Sequence, residues 1–109
     1  MKLMTKAIEK KIPALYSTEE ENQESPRILV KFFHVFSSWR WYGVEYDPEQ
    51  GLFYGLVDGD EMELGYFTLD ELESIEIGGL GIERDMNWDD KITVQHVMDA
   101  KSKSNSYIV

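Results

Sequence analysis

The run from Trp39 to Leu72, WRWYGVEYDPEQGLFYGLVDGDEMELGYFTLDEL, leaves this chain little choice of fold. Three short segments rich in aromatic and branched residues, Trp39 to Tyr46, Leu52 to Val57 and Met62 to Phe67, are separated by DPEQG and DGDE. Pro48 presets a turn dihedral, Gly51 tolerates a positive one, and Asp58-Gly59 is a hairpin signal in its own right. Strands joined this tightly have to run antiparallel. Strict alternation puts Trp39, Trp41, Gly43 and Glu45 on one face of the first strand and Arg40, Tyr42, Val44 and Tyr46 on the other. Thr68 and Glu71 then make a capping box, with Asp70 and Glu71 in the first turn where negative charge suits the helix dipole. The helix they open runs to about Ser74 or Ile75.

Before that run, Thr5 caps a short helix from Lys6 to Lys11 that Pro13 ends, and the polar connector PALYSTEEENQESPR follows, with Leu15 and Tyr16 to pin it. RILVKFFHVF, from Arg27 to Phe36, is too short for a typical helix and reads as a strand buried on much of both faces. After the central run, Gly78 to Gly81 break the chain as a flexible loop, an acidic loop or short strand lies around Ile82, and Thr93 caps a last helix through about Lys101. The expected fold is α+β: a single antiparallel sheet of about four strands with two or three helices packed against one face and the ends. Residues 1–101 form one domain and 102–109 a flexible tail.

The chain has no cysteine, which removes disulfides, thiolate metal sites and cysteine nucleophiles, and suits a reducing cytosol. No signal-length or membrane-length apolar run is present, so the expectation is a soluble, intracellular protein. The net charge of −10 is unevenly spread: residues 1–44 carry +2, residues 45–90 carry −14 and residues 91–109 carry +2. A field of that sign repels a nucleic-acid backbone and attracts basic partners, at rates that salt suppresses.

The candidate chemistry is sparse. His34 and His96 have no second ligand at a metal-site spacing, and His34 reads as a hydrogen-bonded structural residue. Asp58, Asp60, Glu61 and Glu63 are the densest carboxylates, but they lack the glycine and bidentate glutamate of a calcium loop. GGLG lacks the lysine and hydroxyl of a phosphate loop and follows a helix where a strand is required. Arg84, the single cation between residues 45 and 90, reads as a structural clamp bridging sheet carboxylates such as Glu45 or Glu63. No catalytic, metal or cofactor residues are assigned.

The order of residues carries more than their types. W-Y-G-V-E-Y-D-P-E from Trp41, F-Y-G-L-V-D-G-D-E-M-E-L-G-Y-F-T-L-D-E-L from Phe53 and G-I-E-R-D from Gly81 resemble the bacterial family known as domain of unknown function 2958, over about residues 1–85. The resemblance implies cargo of plasmids and conjugative elements, near DNA-transfer and anti-restriction functions, with no established catalytic residue. Trp41, Glu45, Asp58, Gly59, Glu63, Gly65, Tyr66, Glu83, Arg84 and Asp85 are its shared positions, for a surface or for the fold.

Three functions fit these readings. The first is a non-enzymatic accessory protein that binds a basic, nucleic-acid-handling protein through Asp58, Asp60, Glu61, Glu63, Glu83 and Asp85, which would imitate a nucleic-acid backbone as a negative row at strand spacing of about 6.5 to 7 Å. The second is a single-stranded nucleic-acid module using Lys31, Trp39, Arg40 and Trp41 as a stacking platform. The third is a small carboxylate enzyme using a pair such as Glu45 and Glu83.

Overall fold

In a computed structural model, residues 2–18 and 25–102 are described. The elements are α1 (Lys6–Lys11), β1 (Val30–Phe33), β2 (Arg40–Asp47), β3 (Leu52–Asp58), β4 (Met62–Thr68), α2 (Leu69–Ser74), β5 (Glu76–Ile77), β6 (Leu80–Gly81), β7 (Glu83–Arg84) and α3 (Val94–Ser102). The fold is α+β, and its main sheet is antiparallel throughout, in the order β4-β3-β2-β1-β7. The helix caps expected at Thr5 and Thr68 are present: Thr5 accepts from the Ile8 amide, and Thr68 and Glu71 make the reciprocal capping box. Apart from Ser102, the expected tail lies outside the described residues.

One sheet face carries the larger core. Val30, Phe32, Trp41, Tyr46, Phe53 and Phe67 pack beneath Leu3, Met4, Ile12, Leu72 and Ile82. Phe53 is its hub, with its ring centroid 4.4 Å from that of Tyr46, 5.0 Å from Phe67 and 5.5 Å from Phe32. The other face is covered by α3, whose Val94 and Val97 sit on Ile28, Tyr42, Val44 and Leu56. Helices thus lie on both faces and not on one. The cause is β2, whose interior residues are buried on both sides and need two covers.

Three local details differ from the expectation. Strand β1 is only Val30–Phe33, because Arg27 bridges Thr93 and the Ile28 amide donates to the Ile92 carbonyl, tying the chain before β1 to the entry of α3. The register of β2 on β3 slips between Gly43 and Glu45, a bulge that leaves Val44 unpaired and reverses the expected facing of the next two residues. Tyr46 then points into the Phe53 core, while Glu45 pairs with Tyr54 on the opposite face. Finally, Gly78 and Gly79, at φ of +60° and +83°, form the two-residue turn of a tight hairpin between β5 and β6, where the expectation was a flexible loop.

Candidate functional site

The six acidic residues expected to form one surface are divided by the strand order. Asp58, Asp60, Glu61 and Glu63 belong to the β3–β4 hairpin at one edge, whereas Glu83 and Asp85 lie on or beside β7 at the other. Four strand spacings separate the two edges, about 19 Å, more than twice the screening length of about 8 Å at physiological salt. The two groups therefore do not lie in one row at strand spacing.

Within each group some carboxylates are already engaged. Asp58 sits 2.6 Å from the Lys101 ammonium, each side chain 17% exposed, and this pair ties the end of α3 over the end of β3. Asp85 faces Lys31 at 3.9 Å, while its amide donates to the Lys31 carbonyl. Asp60, Glu61 and Glu63 are exposed, and none of them is in an ion pair among the described residues.

Those three carboxylates rim a cleft of about 570 Å³ floored by Val57, Gly59 and Gly65 and walled on one side by Trp39. The Trp39 ring lies against Gly59 so closely that a Cβ there would come within 2.6 Å of it. Leu64 and Tyr66 stand beside the cleft, 50% and 51% exposed. Sequence reasoning named Tyr66 among the shared family positions but did not single out Leu64 or pair the two. Strand alternation in MELGYFT could have found it, given that β4 is an edge.

Arg84 is a clamp, but not of sheet carboxylates. Its Nη1 donates to the Lys2 and Leu3 carbonyls at 2.7 and 2.8 Å, and its Nη2 meets the Met86 sulfur at 3.3 Å. Neither proposed partner is placed for it: Glu63 is on the far edge, and Glu45 is committed elsewhere. The buried Glu45 carboxylate accepts from the Tyr16 amide at 2.7 Å and the Thr18 amide at 2.8 Å, and also from the Thr18 hydroxyl. It holds the connector onto the sheet. The Glu45 and Glu83 pair is likewise split between β2 and the β7 edge.

His34 is buried and structural: Nε2 donates to the Leu80 carbonyl at 2.7 Å, and Nδ1 accepts from the Phe36 amide at 3.0 Å, fixing the β5–β6 hairpin to the end of β1. His96 is exposed, and its Nδ1 accepts from the Thr93 amide while Thr93 accepts from the His96 amide. Among the described residues no three His, Asp or Glu side chains converge as a metal ion requires.

The residues of the stacking-platform reading are also divided. Trp41 is buried in the larger core with Trp39 against it, centroids 5.9 Å apart. Lys31 and Arg40 are on the α3 side, in register with Tyr42 and Asp58. The Lys31 ammonium lies 5.6 Å from the Trp88 ring and 5.9 Å from the Phe33 ring, and burial, followed by the nearby Arg40 charge, lowers its pKa. Burial also pushes the Tyr42 phenol well up.

The family model described as "Protein of unknown function (DUF2958)" matches residues 3–108. The chain belongs to that family. The match runs well past Asp85, so α3 and its Lys101 anchor are part of the family's domain and not an addition to it. No curated protein and no solved structure matches the chain. No helix among the described residues is long and apolar enough to cross a membrane.

Proposed function

We propose that the chain is a protein-binding accessory factor that takes a basic partner at the β3–β4 hairpin. The observation that carries this reading is the concentration of exposed carboxylates, Asp60, Glu61 and Glu63, around a cleft at the edge of the sheet formed by the described residues. Rim charges of this kind steer encounter with a positive surface and set its salt dependence. The negative row narrows to these three residues, because Asp58 is spent on Lys101 and Glu83 and Asp85 stand on the far edge. Binding is favoured over catalysis because Glu45 and His34, the two buried titratable side chains with the best-defined geometry, are occupied with backbone amides and carbonyls. In the mobile-element setting that the family resemblance implies, a nucleic-acid-handling protein with a basic groove has the complementary chemistry.

The test is affinity capture from the native host with the tagged chain and a Glu61→Lys, Glu63→Lys variant, washed at low and high salt. The wild type is expected to retain a basic protein that salt elutes, and the variant to bind that protein about tenfold or more weakly at low salt. Retention of the same proteins by the variant, with the same salt dependence, overturns the proposal.

A further inference from the structure

The acidic residues say what charge a partner carries; the strand that bears them says what shape it takes. Among the described residues β4 is an edge strand seven residues long, with β3 on one side of it, whereas the opposite edge strand, β7, has two residues. An edge strand presents a row of backbone donors and acceptors to any extended chain, and proteins usually blunt such rows with proline, lysine, a bulge or a very short strand. MELGYFT has no proline and no lysine, and its pairing with β3 is regular from Leu52–Thr68 to Asp58–Met62. Among the described residues the edge is long, regularly paired on its inner side and unblunted except by its own negative charge.

Its two faces differ. Met62, Leu64 and Tyr66 lie on the side of α3, in register with Asp58, Leu56 and Tyr54, and Leu64 and Tyr66 are half exposed beyond the helix. Glu63, Gly65 and Phe67 lie on the other side, where Glu63 and Glu61 rim the cleft and the space over Gly65 is open, with no atom within 4 Å of a would-be Cβ. An added strand therefore meets apolar surface on one face and carboxylates over a vacant floor on the other. Side chains alternate along a strand with the same period.

We infer that β4 is extended by a strand from the partner, in which apolar residues alternate with lysine or arginine. The apolar set covers Leu64 and Tyr66, and the basic set enters the cleft over Gly65 toward Glu61 and Glu63. A second copy of this chain is the poorer occupant, because it brings another net −10 and another set of hairpin carboxylates to the same edge. The inference rests on the acidic-hairpin reading and adds to it the backbone pairing and the alternation.

The probe is a synthetic peptide of alternating valine and lysine, matching β4 in length and titrated into the intact protein at low salt, with binding read from tryptophan emission, to which Trp39 in the cleft contributes. Two further peptides are N-methylated either at every valine or at every lysine. In a strand the backbone groups of alternate residues point to the same edge, so only one of the two methylated sets faces β4. The parent peptide is expected to bind, one methylated peptide to bind about tenfold or more weakly, and the other to match the parent; which one fails reports the direction of the added strand. A peptide of the same composition with its lysines in one block is expected to bind more weakly than the parent. Equal binding of all four peptides, lost in the Glu61→Lys, Glu63→Lys variant, overturns strand addition and leaves the acidic-hairpin reading standing. Failure of every basic peptide to bind at low salt overturns both. A dimer in sedimentation that the parent peptide does not dissociate, with β4 protected in the dimer, assigns the edge to a second copy and also overturns the inference.

Discussion

Replacing Glu45 with alanine is expected to destabilise the protein by about 3 kcal/mol, one of the two largest effects we expect of a single substitution. The carboxylate is 2% exposed and accepts two amide hydrogens and one hydroxyl from the connector. Removing it leaves the Tyr16 and Thr18 amides without that acceptor and frees a segment in which Tyr16 holds a φ of 68°, a conformation that a non-glycine residue adopts at a cost. Glu45→Gln keeps one acceptor oxygen but turns an NH₂ toward donors, so a smaller loss of about 2 kcal/mol is expected. Urea unfolding checks both values through the midpoint at unchanged slope. A loss below about 0.5 kcal/mol for the alanine variant would mean that the connector is held by other contacts.

The second large effect comes from one position of a glycine row. Gly43, Gly55 and Gly65 are in register across β2, β3 and β4. A Cβ on Gly55 would meet the Tyr42 carbonyl oxygen at 1.8 Å and the Tyr42 carbonyl carbon at 2.9 Å, atoms of the neighbouring backbone that move only if β2 and β3 part beside the bulge. Gly55→Ala is expected to cost about 3 kcal/mol or more. At Gly65 the space is open and the backbone is not in the left-handed region, so Gly65→Ala should stay within about 0.5 kcal/mol of the wild type. Denaturant melts of the two variants side by side test the contrast. Similar losses at both sites would show that the close approach at Gly55 is relieved by small shifts.

The local instructions of this chain were legible, and its long-range ones were not. DPEQG and the Thr68–Glu71 capping box act between near neighbours and appear in the fold as read, whereas DGDE makes its hairpin with Asp58 still paired to Met62 and Gly59 outside the left-handed region. The bulge at Gly43–Glu45 has no such marker, because alternation by itself gives no reason to skip a residue; it therefore reversed the expected facing of Glu45 and Tyr46. The pairing of β7 with β1 joins Glu83 and Arg84 to Phe33 and Phe32 across the whole central run. Nothing near Glu83 announces that contact, and it is what carries Glu83 and Asp85 away from the hairpin acids. Arg84 was legible as a clamp because a lone cation in an acidic half needs partners, but those partners are backbone carbonyls near the N-terminus, at residues remote in sequence. Of the candidate site, Asp60, Glu61 and Glu63 could be read from charge and turn chemistry alone. The edge position of β4, which leaves Leu64 and Tyr66 half exposed beside them, follows only from the order of the strands.

Amide hydrogen exchange of the chain, alone and with its captured partner, tests the central claim most directly. Binding at the acidic edge predicts new protection concentrated in Met62–Thr68 and the turn at Gly59 to Glu61, with β1, β7 and α3 unchanged. Protection that instead falls on β1, β7 and the Lys31 and Arg40 side of the sheet, with β4 exchanging as in the free protein, would contradict it.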